Sequence, residues 1–232
     1  MIEAKQLYGT RIDAQDGHIG SVHDLYFDEH AWTVRYLIID PGKWLPGRKV
    51  LIVPTTILSP WRGEGALPVN LTKNQIRSSP DIDTAQPISR KAEHLLHSHY
   101  GWIPYWGVPG IPAGILVPPS PAPQAAASVE ERRDAIKEAE SLSEQHLRST
   151  KEVMGYRVRA TDSEIGHVED FVLDDDCSRI LFLAIDLEKW ISGKQVLLSP
   201  RVVSKLDWAT SRVQVEVSRR AIEASQEYKP AA

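Results

Sequence analysis

Short segments that alternate apolar and polar residues, or run apolar with β-branched side chains, make up most of residues 1–80. Turn signals such as Asp-Gly and Arg-Gly-Glu-Gly separate them, which is typical of short β-strands rather than of helices. Five strands of such length favour a small barrel or sandwich. The pattern predicts strands at 8–14, 18–28, 33–40, 48–58 and 66–72.

The same arrangement returns later in the chain at a constant shift of 146 positions. Asp40 and Trp44 recur as Asp186 and Trp190, and the match runs through both segments without a gap. A gapless register of this length indicates two copies of one domain rather than a solenoid. The second copy predicts strands at 155–160, 164–174, 179–186, 194–203 and 212–218, and a one-turn helix is predicted at the end of each copy, at 72–79 and 218–225.

The loop that contains these repeated Asp and Trp residues joins two predicted strands in each copy. Asp40 and Asp186 end a strand, where their carboxylates are expected to accept hydrogen bonds from loop N–H groups as in an Asx turn. Gly47 and Gly193 are expected to take a positive φ. The tryptophan of each loop either folds back over an open barrel end or stays available to a partner.

The residues between the two copies have a different pattern. Apolar residues recur at near-helical spacing in 88–100, and Ser89 is suited to cap a helix of about 11 residues. A stretch rich in proline and glycine follows at 100–123, and Ser128 and Glu131 then form a capping-box pattern that predicts a second helix. We therefore divide the chain into a first barrel at 1–80, a connector at 81–147 and a second barrel at 148–229.

Composition and charge narrow the classes of function that fit this sequence. Hydrophobic residues make up 42% and charged residues 25% of the 232 residues, as in ordinary globular proteins. The net charge is −4 and neither copy is basic, which argues against a nucleic-acid-binding face. Cys177 is the only cysteine, which fits a reducing compartment. We expect a cytoplasmic protein without a signal sequence or a transmembrane segment.

Two groups of side chains invite a metal-binding interpretation. His94, His97 and His99 share the first predicted connector helix, but the first two alone point to one side of it. The acidic run 174–176 falls at a hairpin turn and does not follow the spacing of a calcium loop. We therefore expect no metal ion and no cofactor.

Candidate catalytic groups are also sparse. The sequence contains no Gly-x-Ser-x-Gly nucleophile elbow, no His-Glu-x-x-His motif and no phosphate-binding glycine loop. Cys177 stands beside the acidic turn, where a thiolate is disfavoured. Asp24 and Asp28 are expected at strand ends, where hydrogen bonding to the backbone explains them. The sequence therefore predicts a protein that is not an enzyme.

The order and doubling of these segments resemble the PRC-barrel domain family, which includes the barrel of the photosynthetic reaction-centre H subunit and that of a ribosome maturation factor. Residues 88–106 are similar to the segment after the first barrel in bacterial two-barrel members. The resemblance implies a mainly β fold with two small PRC-type β-barrels in tandem, joined by a helical and Pro-rich connector. It covers about two thirds of the chain and is carried by the segments 7–12, 17–28, 35–54, 154–159, 164–174 and 181–200.

This family implies an interaction or assembly module and supplies no catalytic residues. We therefore predict a protein partner of unknown identity, with a homo-oligomer as a further possibility. One alternative is an RNA- or ribosome-associated factor, and another is a subunit of a photosynthetic or other membrane-associated electron-transfer complex. The candidate partner-binding positions are the aromatic residues of the connector and the loop tryptophans with their adjacent lysines, because Trp and Tyr are enriched at interface hot spots. These positions are Lys43, Trp44, Trp102, Tyr105, Trp106, Lys189 and Trp190.

Overall fold

The fold is mainly β and is built from two sheets, one for each copy of the repeat. The computed structural model describes residues 1–58, 61, 63–82, 84, 88–106, 147–187 and 194–230. The second predicted connector helix, at 128–147, falls almost entirely outside the described residues. Both the fold class and the tandem arrangement that the sequence predicts are confirmed.

Equivalent elements appear in the same order in the two copies. The strands of the first half are β1 (Ile2–Glu3), β2 (Arg11–Ala14), β3 (Gly17–Asp28), β4 (Thr33–Asp40), β5 (Val50–Ile52) and β6 (Leu67–Pro68). Those of the second half are β7 (Leu147–Ser149), β8 (Arg157–Arg159), β9 (Glu164–Leu173), β10 (Ile180–Asp186), β11 (Gln195–Leu198), β12 (Val203–Asp207), β13 (Arg212–Val215) and β14 (Glu227–Tyr228). The described helices are α1 (Ala4–Leu7), α2 (Lys73–Arg77), α3 (Arg90–Tyr100), α4 (Thr150–Val153) and α5 (Arg219–Glu223), with 3₁₀ turns at Gly42–Trp44, Pro54–Thr56 and Pro200–Val202.

Each sheet is a mostly antiparallel ladder with the long hairpin of its copy in its interior, β3-β4 in the first and β9-β10 in the second. The first has the strand order β5-β4-β3-β2-β6, and the second has the order β12-β13-β8-β9-β10-β11-β14. The single strand predicted at 48–58 is in fact interrupted by the 3₁₀ turn at Pro54–Thr56. Proline at the start of that turn has no N–H to donate to a ladder, so the strand cannot continue through it.

The two copies exchange their first strands. β1 pairs antiparallel with β9 of the second copy, and β7 pairs antiparallel with β3 of the first copy. The registers are equivalent, since Ile2 lies opposite Leu173 just as Arg148 lies opposite Phe27. The sequence pattern does not predict this exchange, in which each copy completes the sheet of the other.

A second contact between the copies lies at the tips of the two long hairpins. The N–H of Val34 donates to the carbonyl of Ser178 at 2.8 Å, and the N–H of Ile180 donates to the carbonyl of Trp32 at 2.9 Å. These bonds flank an antiparallel bridge between Thr33 and Arg179, which are equivalent residues of the two copies. The two halves are therefore related by an approximate two-fold axis that passes through this bridge.

The buried apolar side chains of both copies form one hydrophobic core. The rings of Phe27 and Phe171 approach to 5.6 Å across the boundary between the copies, and Leu7 and Val153 from the exchanged segments are fully buried. A core that crosses the boundary in this way removes more apolar surface from water than two separate small barrels could.

A second, smaller core lies between the first sheet and the connector. Helix α3 packs its apolar side against residues of β4 and β5, so β4 is covered on both faces. The near-continuous apolar run of β4 is what such burial requires. The residues of this outer core are Tyr36, Ile38, Leu51, Ile82, Ile88, Leu96 and Leu147.

Candidate interaction surface of the connector

Helix α3 begins and ends where its sequence predicts. The Ser89 hydroxyl accepts a hydrogen bond from the N–H of Ala92 at 3.2 Å, which caps the first turn. Gly101 ends the helix in the left-handed conformation, with φ of 69°. The chain then folds back, and the N–H of Trp102 donates to the carbonyl of His97 at 2.9 Å. This reversal places residues 102–106 beside the helix that precedes them.

A buried ion pair anchors the helix to the first sheet. Arg90 and Glu93 lie one turn apart, with an N···O distance of 2.7 Å and side chains that are only 9% and 1% exposed. The Glu93 carboxylate also accepts hydrogen bonds from the hydroxyl groups of Tyr36, at 2.9 Å, and Tyr105, at 2.8 Å. Arg90 donates to the Tyr105 hydroxyl at 3.0 Å. A buried charge pair of this kind is tolerated only because its remaining polar atoms are hydrogen-bonded.

Burial sets the protonation of this network. It raises the pKa of Glu93, against the opposing effects of Arg90 and the two tyrosine hydroxyl groups. It also raises the pKa values of Tyr36 and Tyr105, which therefore remain protonated donors at neutral pH. Burial lowers the pKa of His97, which keeps its imidazole neutral. Since Tyr36 donates its proton to Glu93, its oxygen can accept from Nε2 of His97, which lies 2.9 Å away.

Aromatic rings close around His97. Trp102 stacks on Tyr100, with ring centres 4.1 Å apart, and Trp106 lies edge-on to His97 at 4.8 Å. Two guanidinium groups stack on the same set of rings. Arg35 lies 3.8 Å from the centre of Tyr105, and Arg90 lies 4.3 Å from that of Trp106. Such cation–π contacts restrain the rings to one orientation.

The structure thus brings Trp102, Tyr105 and Trp106 together, and each remains half-buried. Between them, Ile103 projects outward and is 77% exposed. We call these four residues the connector surface. Three of its side chains already contribute to folding, so the part that a partner could use is the outward-facing area around Ile103.

Trp44 has a different setting. It ends the 3₁₀ turn Gly42–Trp44, packs against the edge of the shared core, and donates its indole N–H to the carbonyl of Ile19 at 2.9 Å. Its ring therefore folds back over the barrel end, the first of the two arrangements that the sequence allows. The neighbouring Lys43 is exposed. The equivalent Lys189 and Trp190 lie outside the described residues, so their proposed role stays a prediction.

The loop around Trp44 follows the predicted backbone geometry. Gly42 donates its N–H to Asp40 Oδ1 at 2.9 Å, as in an Asx turn. Gly47 has a φ of 77°, in the region that favours glycine. Lys49 adds an ion pair to Asp40 Oδ2 at 2.5 Å. Gly193 of the second loop lies outside the described residues.

The residues that hold the connector surface in place are not among those predicted from the sequence. Arg90 and Glu93 stand at a spacing that suggests an exposed helix pair, yet both are buried. The available signal was the unbroken apolar run of β4, which indicates a strand covered on both faces. Tyr36 lies in that run, and its hydroxyl group needs a buried partner.

The other side chains singled out from the sequence have structural partners. Asp174 accepts hydrogen bonds from the N–H groups of Ser178 and Arg179, which stabilise the acidic turn. Cys177 is fully buried, and burial raises its pKa to about 12. Asp24 was expected at a strand end, but it lies within β3, where it faces the other copy.

Comparison with known proteins agrees with this architecture. A family model described as PRC-barrel domain matches residues 1–77 and 148–221, which are the two copies. The chain belongs to the PRC-barrel domain family. PRC-barrel domains often mediate protein interactions, and membership indicates an interaction or assembly module. No match to the chain is found among curated proteins. In the part of the chain that the structure describes, no helix has the length and apolar character needed to cross a bilayer.

Proposed function

We propose that this PRC-barrel protein is a non-enzymatic assembly module whose protein partner binds the connector surface. The observation that carries the proposal is the exposure of Ile103 between the restrained rings of Trp102 and Trp106. Trp and Tyr are enriched at interface hot spots, and here they flank an exposed apolar side chain.

The rigidity of the surface supports this role. A partner that binds flexible aromatic side chains must first order them, at a cost of about 0.5–1.5 kcal/mol for each. Here the Glu93 carboxylate and the Arg35 guanidinium already hold Tyr105, and His97 and Arg90 already hold Trp106. The surface is therefore preorganised for a protein with an apolar binding patch.

The non-enzymatic part of the proposal rests on different observations. The sequence lacks the nucleophile and metal-hydrolase motifs considered above, and Cys177 is buried with a raised pKa that disfavours its thiolate. The two tyrosines and Glu93, whose pKa values are raised, hydrogen-bond to one another, and these bonds fix the connector in place. Perturbed pKa values in such structural networks do not require catalysis.

The test compares two surface variants of the full chain in its native cells. Ile103→Asp places a charge in the proposed interface, whereas Leu58→Asp changes an equally apolar side chain of the first copy that is 51% exposed. Proteins that co-purify with each tagged chain are quantified by mass spectrometry. We expect one partner to be enriched with the wild type and with Leu58→Asp, and to fall at least tenfold with Ile103→Asp.

An unchanged partner set with Ile103→Asp would refute the connector surface as the binding site. Recovery of RNA that is lost as the salt concentration rises would instead support the RNA-associated alternative, because phosphate contacts weaken with salt. The thermal unfolding of each purified variant is measured alongside, so that a loss of partner can be separated from a loss of folding.

A further inference from the structure

A histidine and two carboxylates meet on the second copy, away from the connector surface. Asp186 at the end of β10 lies directly opposite His167 of β9. Glu169 is two residues beyond His167 and therefore shares its face of the sheet. One ligand atom from each of the three side chains lies within 4.8 Å of the other two, and Nε2 of His167 is 3.1 Å from Glu169 Oε2.

A glycine makes this approach possible. The carbonyl oxygen of Asp186 lies 1.8 Å from the position that a Cβ on Gly166 would occupy, and Gly166 has a φ of 154°. No other residue fits there. Because Gly166 allows the backbone of Asp186 to approach so closely, Asp186 lies beside His167, the residue that follows Gly166. The first copy has the same contact between Gly20 and the carbonyl oxygen of Asp40.

The two copies differ in what surrounds this aspartate. In the first copy Lys49 neutralises Asp40 with an ion pair of 2.5 Å. In the second copy the equivalent position is Gln195, which lies opposite Asp186 in the ladder. Oδ1 of Asp186 is buried and has no hydrogen-bond partner among the described residues. A buried carboxylate oxygen without a partner is unfavourable, and a bound cation would remove that penalty.

The other residues near this aspartate also differ between the two copies. Where the first copy has Ser21 and His23, the second has His167 and Glu169. The lysine that neutralises this aspartate has thus been lost, the imidazole lies two positions earlier in the strand, and one further carboxylate has been gained. This difference leaves two carboxylates beside one imidazole, which favours a bound cation.

We propose that His167, Glu169 and Asp186 bind a divalent transition-metal ion, with Zn²⁺ as the preferred ion. One imidazole nitrogen and two carboxylate oxygens suit Zn²⁺ better than Mg²⁺ or Ca²⁺, which prefer oxygen ligands alone. At bond lengths of about 2.0–2.2 Å, tetrahedral ligand atoms lie roughly 3.3–3.6 Å apart. The ligand atoms lie within 4.8 Å of one another, so metal binding would draw them closer together, with water in the fourth position.

A lysine of the exchanged segment orients one of these ligands. Lys5 in α1 donates to Oε1 of Glu169, which leaves Oε2 turned toward His167. The second carboxylate oxygen of Glu169, Nε2 of His167 and the carboxylate of Asp186 therefore face one another.

Titration of the metal-free full chain with Co²⁺ tests the proposal, because tetrahedral Co²⁺ absorbs visible light. We expect one equivalent to bind, to be displaced by Zn²⁺, and to bind at least tenfold more weakly in His167→Ala and Asp186→Asn. Gln195→Lys is the sharper variant, since it introduces the ammonium group that the first copy already accommodates. It should abolish the Co²⁺ spectrum while leaving the circular dichroism and unfolding of the protein intact.

The matched control is His23→Ala, which changes the first copy alone and should leave the spectrum unchanged. Absence of Co²⁺ binding by the wild type would overturn the proposal. So would one-equivalent binding that persists in both His167→Ala and Gln195→Lys, because the ion would then occupy exposed histidines elsewhere on the chain. The readout is independent of partner binding, so its failure would not affect the assembly role proposed for the connector.

Discussion

One pair of equivalent aspartates shows how single residues join the two copies. Asp24 of β3 accepts hydrogen bonds from Ser149 Oγ at 2.6 Å, Thr150 Oγ1 at 3.1 Å and the N–H of Lys151 at 3.3 Å. It therefore binds the start of α4, which belongs to the other copy. Asp170 of β9 does the same for α1 with fewer bonds.

The contacts of Asp170 come from backbone groups. It accepts hydrogen bonds from the N–H of Lys5, at 3.2 Å, and from that of Phe171, at 2.7 Å. Burial raises the pKa of Asp170 to about 6, although both hydrogen bonds and the Lys5 charge oppose this shift. The two aspartates thus occupy the same position in the fold but differ in the donors that they bind.

We expect Asp24→Asn to destabilise the protein at pH 7 by about 2 kcal/mol, because hydrogen bonds from several donors to a carboxylate are weakened. Asp170→Asn should have a much smaller effect at the same pH, because the ionised form of Asp170 is already penalised by burial. Urea unfolding of both variants measures the difference. Equal losses of stability would contradict this account.

The sign of the pH dependence follows from the raised pKa of Asp170. Its folded-state pKa lies above its unfolded value, so its contribution to stability is fully present below about pH 4 and is lost as the pH rises through about 6. The free energy of unfolding of the wild type relative to Asp170→Asn should therefore fall by roughly 1–3 kcal/mol between pH 4 and pH 7. A relative stability that rises over this interval would show that the sign is wrong.

At the scale of elements, local pattern predicted the strands but not their partners. The segments 18–28 and 33–40 were predicted as strands because their alternation and turn signals are local properties of the sequence. β1 and β7 have only two and three residues. Segments of such length have no periodicity to detect, and nothing in them states that their partner lies more than a hundred residues away.

The candidate sites were predictable to a similar extent. The sequence indicates Trp102, Tyr105 and Trp106 as candidates, because Pro and Gly around them prevent regular structure and large aromatic side chains in such a loop need burial or a partner. Glu93 looked like a solvated helix residue, since its burial depends on where α3 packs. His167 and Asp186 are separated along the chain, and only the register of β9 against β10 brings them together.

The strand exchange leads to an unusual expectation for Ile2, which is buried in the shared core. Ile2→Ala should cost about 2–5 kcal/mol and should loosen the second copy rather than the first, because β1 pairs with β9. Amide hydrogen exchange should therefore increase most around Leu173.

Ile12→Ala is the matched control, since Ile12 is fully buried in β2 of the first copy and pairs with β3 and β6 of that copy. It should increase exchange in β2 and β3. Faster exchange confined to the first copy in Ile2→Ala would show that the exchanged pairing does not form in solution.

At the scale of the whole molecule, the two copies are built into each other. They share the larger hydrophobic core, exchange their first strands and are bridged at their hairpin tips. The sequence, by contrast, suggests two barrels separated by a connector. A boundary crossed by so many buried contacts is unlike the exposed linkers that normally separate independent domains.

We therefore expect one cooperative unfolding transition. Leu37→Ala and Leu183→Ala, at equivalent buried positions of the two copies, should each lower the midpoint of that same transition. Differential scanning calorimetry measures it, with a calorimetric enthalpy equal to the van't Hoff enthalpy. Two resolved transitions, each sensitive to one substitution alone, would show that the copies unfold independently.

The exchange of β1 and β7 between the copies has a consequence for the evolution of the molecule. A single copy would have to borrow its first strand from a second molecule, so the duplicated chain has the organisation of a homodimer fused into one polypeptide. Fusion makes the assembly independent of protein concentration, because the second half is always present at a high effective concentration. Fusion also allows the two halves to diverge in sequence, so that one can acquire an outer face covered by a helix while the other acquires different polar side chains on its surface.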